Sequence, residues 1–267
     1  FAKAIELFEQ AAVKDHARAM YSLGIMYHDG QGVSQSFAKA IELWEQAAAK
    51  GDAGAMYNLG IMYHDGQGVS QSFAKAIELW EQAAAKGDAG AMFNLGFMYE
   101  RGQGVPQSFA KAIELYEQAA AKGDGDAMHS LGLMYENGKG VEQNFTKAIE
   151  LYEQAAAKGQ AGAMYNLGFM YERGQGVPQS FAKAIELYEQ AAAKGDAGAM
   201  SNLGFMYERG QGVPQNFAKA IELYEQAAAK GHAGAMYNLG IMYAHGQGVP
   251  QNFAKAIELY EQAAAKG

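Results

Sequence analysis

The residues best suited to chemistry are few and dispersed. Histidine stands at positions 16, 28, 64, 129, 232 and 245. His28 and His64 occupy matching places in neighbouring, near-identical stretches, but two imidazoles fall short of the three or four converging ligands of a zinc site. Two solvated histidines are the expectation. Aspartate and glutamate recur at regular intervals as helix surface charge, and no stretch stands apart with the paired carboxylates in contrasted environments that acid–base catalysis needs. Cysteine is absent, which removes both a thiol nucleophile and a disulfide scaffold. The recurring Gly-Gln-Gly-Val turns lack the lysine and the preceding strand of a phosphate loop. Asn144-Phe145-Thr146 has the form of a glycosylation acceptor, yet Asn144 equally suits a helix cap. The expectation is a protein that is not an enzyme, with no cofactor and no metal.

What the residues offer instead is binding chemistry, repeated at one interval. Four series of positions vary while their surroundings stay fixed. The first is Tyr21, Tyr57, Phe93, His129, Tyr165, Ser201 and Tyr237, and the second is Ser22, Asn58, Asn94, Ser130, Asn166, Asn202 and Asn238. The third is Ile25, Ile61, Phe97, Leu133, Phe169, Phe205 and Ile241, and the fourth is Asp29, Asp65, Arg101, Asn137, Arg173, Arg209 and His245. The positions lie three, four or seven residues apart, which places them on one helix face. Tyr and Phe supply large rigid contact area. An asparagine amide both donates to and accepts from a ligand backbone. Arginine pairs bidentately with a carboxylate. Such a face is acidic near Asp29 and Asp65 and mixed from Arg101 onward, and Ser201 opens a notch between Tyr165 and Tyr237. Other readings stay open: aromatics serving as core between repeats, asparagines bonded to neighbours, and arginines paired with Glu100, Glu172 and Glu208.

The elements that must position this face follow from the period. Phe recurs at 1, 37, 73, 109, 145, 181, 217 and 253, a spacing of 36 residues without interruption. The chain of 267 residues thus reads as one solenoid, residues 1–267, with seven full units and a half unit at 253–267. In the third unit Phe73, Ala76, Ile77, Trp80, Ala83 and Ala84 form the apolar stripe of an amphipathic helix, with Lys75, Glu78, Glu81 and Gln82 opposite. Gly87 ends it. Asp88 suits the N-cap of a second helix carrying Ala91, Met92, Leu95, Gly96, Met98 and Tyr99, which Gly102 and Gly104 stop. A helical glycine costs about 0.5–1 kcal/mol relative to alanine. Gly96 and its equivalents therefore predict close packing against a neighbouring helix. Pro106, Pro178, Pro214 and Pro250 are expected to pre-set the start of the next helix. Its cap is either Val105, before a first-turn Pro106, or Ser108, before Phe109. Helices this short rarely hold alone in water, so stability must come from stacking.

The unit resembles the Sel1-like repeat, a relative of the tetratricopeptide repeat. One segment of the resemblance is Ala91, Leu95, Gly96, Met98, Tyr99, Gly102, Gly104 and Val105; the other is Ala76, Trp80, Ala83, Ala84 and Gly87. It covers the whole chain. The resemblance implies an all-α fold, a right-handed superhelical solenoid of antiparallel helix pairs, with the second helices lining the concave side. It also implies an interaction scaffold or adaptor, of the kind found in bacterial periplasmic, secreted and signalling proteins and in eukaryotic degradation complexes. Compartment stays open.

The net charge of −8 argues against nucleic acid and anionic lipid as partners, and no apolar run reaches membrane-spanning length. The expected partner is a protein or peptide bound along the second helices, at Tyr57, Asn58, Phe93, Asn94, Phe97, Arg101, His129, Tyr165, Asn166, Phe169, Arg173, Ser201, Asn202, Phe205, Arg209, Tyr237 and Asn238. The alternative is a structural or self-assembling scaffold without a groove ligand. The sequence begins and ends on a first helix without an atypical polar capping repeat. Either the array continues beyond both ends or copies associate end to end.

Overall fold

The computed structural model describes residues 2–266, and among them every regular element is an α-helix. The first helices of the units are α1 (Ala2–Val13), α3 (Phe37–Ala49), α5 (Phe73–Ala85), α7 (Phe109–Ala121), α9 (Phe145–Ala157), α11 (Phe181–Ala193), α13 (Phe217–Ala229) and α15 (Phe253–Lys266). The second helices are α2 (Ala17–Asp29), α4 (Ala53–Asp65), α6 (Ala89–Arg101), α8 (Gly125–Asn137), α10 (Ala161–Arg173), α12 (Ala197–Arg209) and α14 (Ala233–His245). The chain is an all-α repeat solenoid of paired helices. It divides into two compact units, Phe1–Leu131 with Lys139–Val141, and Gly132–Gly138 with Glu142–Gly267.

Local chemistry sets the helix ends. Ser108 caps α7 by accepting the Lys111 N–H at 3.4 Å, and Asn144 caps α9 by accepting the Lys147 N–H at 3.0 Å. Between the two candidate caps the structure selects Ser108. Pro106 accordingly lies outside the helix, two residues before the cap, and not in its first turn. The connector folds back on the helix before it, with Ser108 N–H bonded to Tyr99 O at 2.9 Å and Gln107 Nε2 donating to Glu100 O at 2.8 Å. These bonds fix where the next helix begins. Asp52, Asp88 and Asp196 cap second helices by accepting the N–H three residues on. Gly102 ends α6 at φ 67°, the left-handed conformation that glycine adopts without a Cβ penalty.

The larger cores take side chains from three or four successive helices. In the first unit Met56 (α4), Trp80 with Ile77 (α5), and Leu95 with Met98 (α6) form one cluster. In the second unit Met164 (α10), Tyr188 with Ile185 (α11), and Leu203 with Met206 (α12) form its counterpart. Full burial of an Ile, Leu or Met side chain contributes about 1.5–3 kcal/mol. The closest approach occurs at the helical glycines. A Cβ on Gly96 would lie 2.7 Å from the Tyr116 ring, and one on Gly132 would lie 2.6 Å from the Tyr152 ring. The expected close packing is present, and its partner is the aromatic of the following first helix.

Candidate protein-binding face

Within each compact unit the four variable series share a partly exposed strip on the second helices. The first series is half-buried at Tyr57, Phe93, His129 and Tyr165, buried at Ser201, and exposed at Tyr237. In the second, Asn58, Asn94, Asn166, Asn202 and Asn238 are half-buried. Phe97 and Phe169 are half-buried, Phe205 is exposed, and Arg101, Arg173 and Arg209 are all exposed. The aromatics of the first series both pack and face outward. The Tyr57 ring edge stands where a Cβ on Gly90 of the next second helix would lie 2.9 Å away, and Tyr165 meets Gly198 in the same manner. Ser201 is only 6% exposed, so its hydroxyl sits below the surface. The room left by the missing ring lies at Gly234, where a Cβ would meet only its own unit's His232.

The arginines hold a recurrent geometry. Arg101, Arg173 and Arg209 place their guanidinium carbons 5.3, 5.3 and 5.4 Å from the ring centres of Phe97, Phe169 and Phe205, one helical turn earlier. Arg173 and Arg209 also pair with Glu172 at 3.9 Å and Glu208 at 3.4 Å. Their side chains stay about 60% exposed, so these pairs contribute little to stability. In the third unit the carboxylate has a different cation: Glu100 takes Lys139 Nζ at 3.0 Å.

Beneath the strip runs a set of polar links unforeseen from the sequence. Tyr116, Tyr188 and Tyr224 are buried, and their hydroxyls donate to Glu100 at 2.8 Å, Glu172 at 2.7 Å and Glu208 at 2.9 Å. Tyr152 does the same to Glu136. On the other side the same hydroxyls meet the second series, with Asn202 Nδ2 donating to Tyr188 at 3.1 Å. Ser130, Asn166 and Asn238 are the corresponding partners of Tyr116, Tyr152 and Tyr224. Burial, followed by the adjoining carboxylate, pushes all four phenols well above their ordinary range, so they remain protonated donors. These glutamates are therefore not plain surface charge, and Glu208 is only 8% exposed.

The contacts of α2 with α3 and of α4 with α5 use another arrangement. Trp44 and Trp80 replace the tyrosine, and His28 and His64 replace the glutamate. Each indole Nε1–H donates to a backbone carbonyl, of Tyr21 or Tyr57, at 3.1 Å. Each imidazole lies 5.6 or 5.7 Å from the indole ring and bonds the neighbouring Asp29 or Asp65 at 2.6 Å. The expectation of solvated histidines is thus corrected: His28 and His64 are 34% and 28% exposed and held between rings and a carboxylate. A signal was available in the sequence, since Trp appears at 44 and 80 only where His stands at 28 and 64.

Two depressions open on the strip in the first unit. One of about 290 Å³ is lined by Tyr21, His28, Asp29, Trp44 and Asn58, and one of about 310 Å³ by Tyr57, His64, Asp65, Trp80 and Asn94. Ile61 lines both, so they are neighbours across α4. Among the described residues no group of three or more His, Asp or Glu is placed to hold a metal, and no helix is long and apolar enough to cross a membrane.

Known structures share this architecture. The c5321 protective antigen of uropathogenic Escherichia coli superposes with a TM-score of 0.85 at 33% identity over 98% of this chain. The chain spans 56% of that protein. A Sel1 repeat protein from Oxalobacter formigenes gives 0.86 at 31% identity, with 92% of this chain and all of that one covered. The immunity protein Pa5087 from Pseudomonas aeruginosa, at 24% identity and a TM-score of 0.51 over 80% of this chain and 82% of its own, shares the fold alone. No curated protein sequence matches the chain. The Sel1 repeat model matches residues 1–16, 17–52, 53–88, 89–124, 125–160, 161–196, 197–232 and 233–267 without a gap. With glycine-seated aromatics tying each helix pair to the next and a family match from one end to the other, the chain belongs to the Sel1 repeat family.

Proposed function

We propose that this chain is a non-enzymatic adaptor that binds a protein or peptide segment along the strip formed by its second helices. Repeats of the Sel1 and tetratricopeptide kinds are generally scaffolds for protein interaction. One observation carries the reading: the part-exposed strip changes from repeat to repeat while the core directly beneath it keeps its Ala, Met, Leu and Gly. Packing does not require that variation, and side chains free of packing are the ones selection tunes for a ligand. The strip offers exposed aromatic surface at Phe205 and Tyr237 and guanidinium groups at Arg101, Arg173 and Arg209. The asparagines contribute less than their number suggests, because part of their hydrogen-bonding capacity is taken by the buried tyrosines.

The test is selection from a displayed peptide library, with the parent chain and an R101E/R173E/R209E variant as baits. The expected outcome is a ligand set bound by the parent and weakened at least tenfold by the variant, with melting unchanged. If neither protein selects a peptide and the parent self-associates with rising concentration in sedimentation, the chain acts instead as a self-assembling scaffold.

A further inference from the structure

The first two repeats carry an unbalanced charge on the strip. At the fourth variable position the third, fifth and sixth units place Arg101, Arg173 and Arg209. Each lies over a phenylalanine ring, and the last two also lie beside a glutamate. The first and second units place Asp29 and Asp65 there, at the C-terminal ends of α2 and α4. The carbonyl end of a helix bears partial negative charge and favours cations, so aspartate is the wrong sign for helix stability. A residue that breaks a local rule without a structural gain points to function. Within the chain each carboxylate has only modest partners: His28 and Gln31 for Asp29, and His64 for Asp65. Among the described residues no lysine or arginine pairs with either.

The surroundings suit a cation. Each aspartate rims one of the two depressions, and half-buried aromatics stand beside it, Tyr21 in the first and Tyr57 with Phe93 in the second, above the buried Trp44 and Trp80. Aromatic faces attract guanidinium and ammonium groups. The molecule already shows the contact, with Arg18 stacked 4.6 Å from the centre of the Tyr21 ring. We infer that the two depressions are paired subsites for basic side chains, and that they receive two arginines or lysines of a partner's extended segment. This deepens the adaptor reading and rests on it. Because the depressions adjoin across α4, and packed helices lie about 8–10 Å apart, the two basic residues are roughly three positions apart in an extended chain rising about 3.3 Å per residue.

The test uses fluorescein-labelled, otherwise neutral peptides carrying two arginines at separations of roughly two to four residues. Matched peptides carry two glutamines or two glutamates. Affinity is read by anisotropy at physiological and at raised salt. The D29R/D65R variant brings in the residue that other repeats hold at this position, and E42R/E78R makes the same change in net charge on the exposed face of α3 and α5. Should D29R/D65R melt early, D29N/D65N replaces it. The two-arginine peptide is expected to bind the parent at least tenfold tighter than the glutamine peptide. D29R/D65R should abolish that preference, and E42R/E78R should leave most of it. Equal binding of the arginine and glutamine peptides, or equal losses in the two charge variants, overturns the inference. Library ligands that are lost in R101E/R173E/R209E but show no preference for basic residues would overturn it while leaving the adaptor reading standing.

Discussion

The repeats built on Trp44 and Trp80 and those built on Tyr152, Tyr188 and Tyr224 solve one packing problem in two ways. In both, an aromatic of the first helix seats on a helical glycine of the preceding second helix. The indole is long enough to place its N–H against a carbonyl of that helix, so its polar atom is satisfied by backbone. The phenol instead draws a carboxylate inward and adds an amide or hydroxyl from its own unit's second helix. The match between core aromatic and outward charge is not general, since Tyr152 goes with the neutral Asn137 and Tyr260 with His245. With Tyr188 and Tyr224, the glutamate is taken by the core and the next residue outward is Arg173 or Arg209. With tryptophan, the glutamate is not needed, and histidine with an outward aspartate takes the place.

The largest effect should come from filling the glycine seats. Gly60→Ala places a Cβ inside the Trp80 ring system, and Gly168→Ala places one 2.9 Å from Tyr188. Overpacking of this kind costs about 1–3 kcal/mol, and Gly60 should be the more sensitive site in urea unfolding. Equal losses would mean the two seats are equally tight. Exchanging the pairs comes next. Glu172→His alone strands a buried hydroxyl and should cost about 1–3 kcal/mol. Tyr188→Trp alone leaves Glu172 without its donor. The two together should recover part of both losses, with a coupling of about 0.5–3 kcal/mol in a double-mutant cycle. Strict additivity would break the proposed linkage.

Alkaline pH separates the two kinds of repeat. The buried phenols have folded pKa values above the unfolded value of about 10. Below pH 10 both states hold the proton and their contribution is intact. Above it the unfolded chain ionises first and binds fewer protons, so stability falls as pH rises, by about 1.4 kcal/mol per unit for each such tyrosine. Tryptophan has no such dependence. Denaturant midpoints between pH 9 and 11 should therefore fall less steeply in the Glu172→His, Tyr188→Trp double variant than in the parent. The smallest effect is expected at the exposed arginines: Arg173→Ala and Arg209→Ala should each change stability by less than about 0.5 kcal/mol, as surface pairs do. A larger loss would assign them to the fold and not to the strip.

Much of the fold was legible in the sequence, and the site less so. The apolar stripe of Phe73, Ala76, Ile77 and Trp80 and the cap at Asp88 are local signals, and the helices follow them. Pro106 left two caps open because a proline just before a helix and one in its first turn look alike until the backbone bonds of the connector are known. Asn202 looked free for a ligand because its partner, Tyr188, lies fourteen residues away on another helix. The glutamates looked like surface charge for the same reason: sixteen residues separate Glu172 from Tyr188, outside any helical spacing.

Sequence by itself determined the period, the two helices of each unit, second-helix caps such as Asp88 and the glycine positions that demand a close neighbour, because these depend on interactions within a few residues or on exact repetition. Only the tertiary structure decided which aromatic fills each glycine seat and which acid is drawn inward to meet it. It alone leaves Asp29 and Asp65 at the mouths of aromatic depressions without an arginine or lysine partner among the described residues. Those outcomes depend on side chains from successive helices meeting in space, where burial removes water and forces each polar group to find a partner.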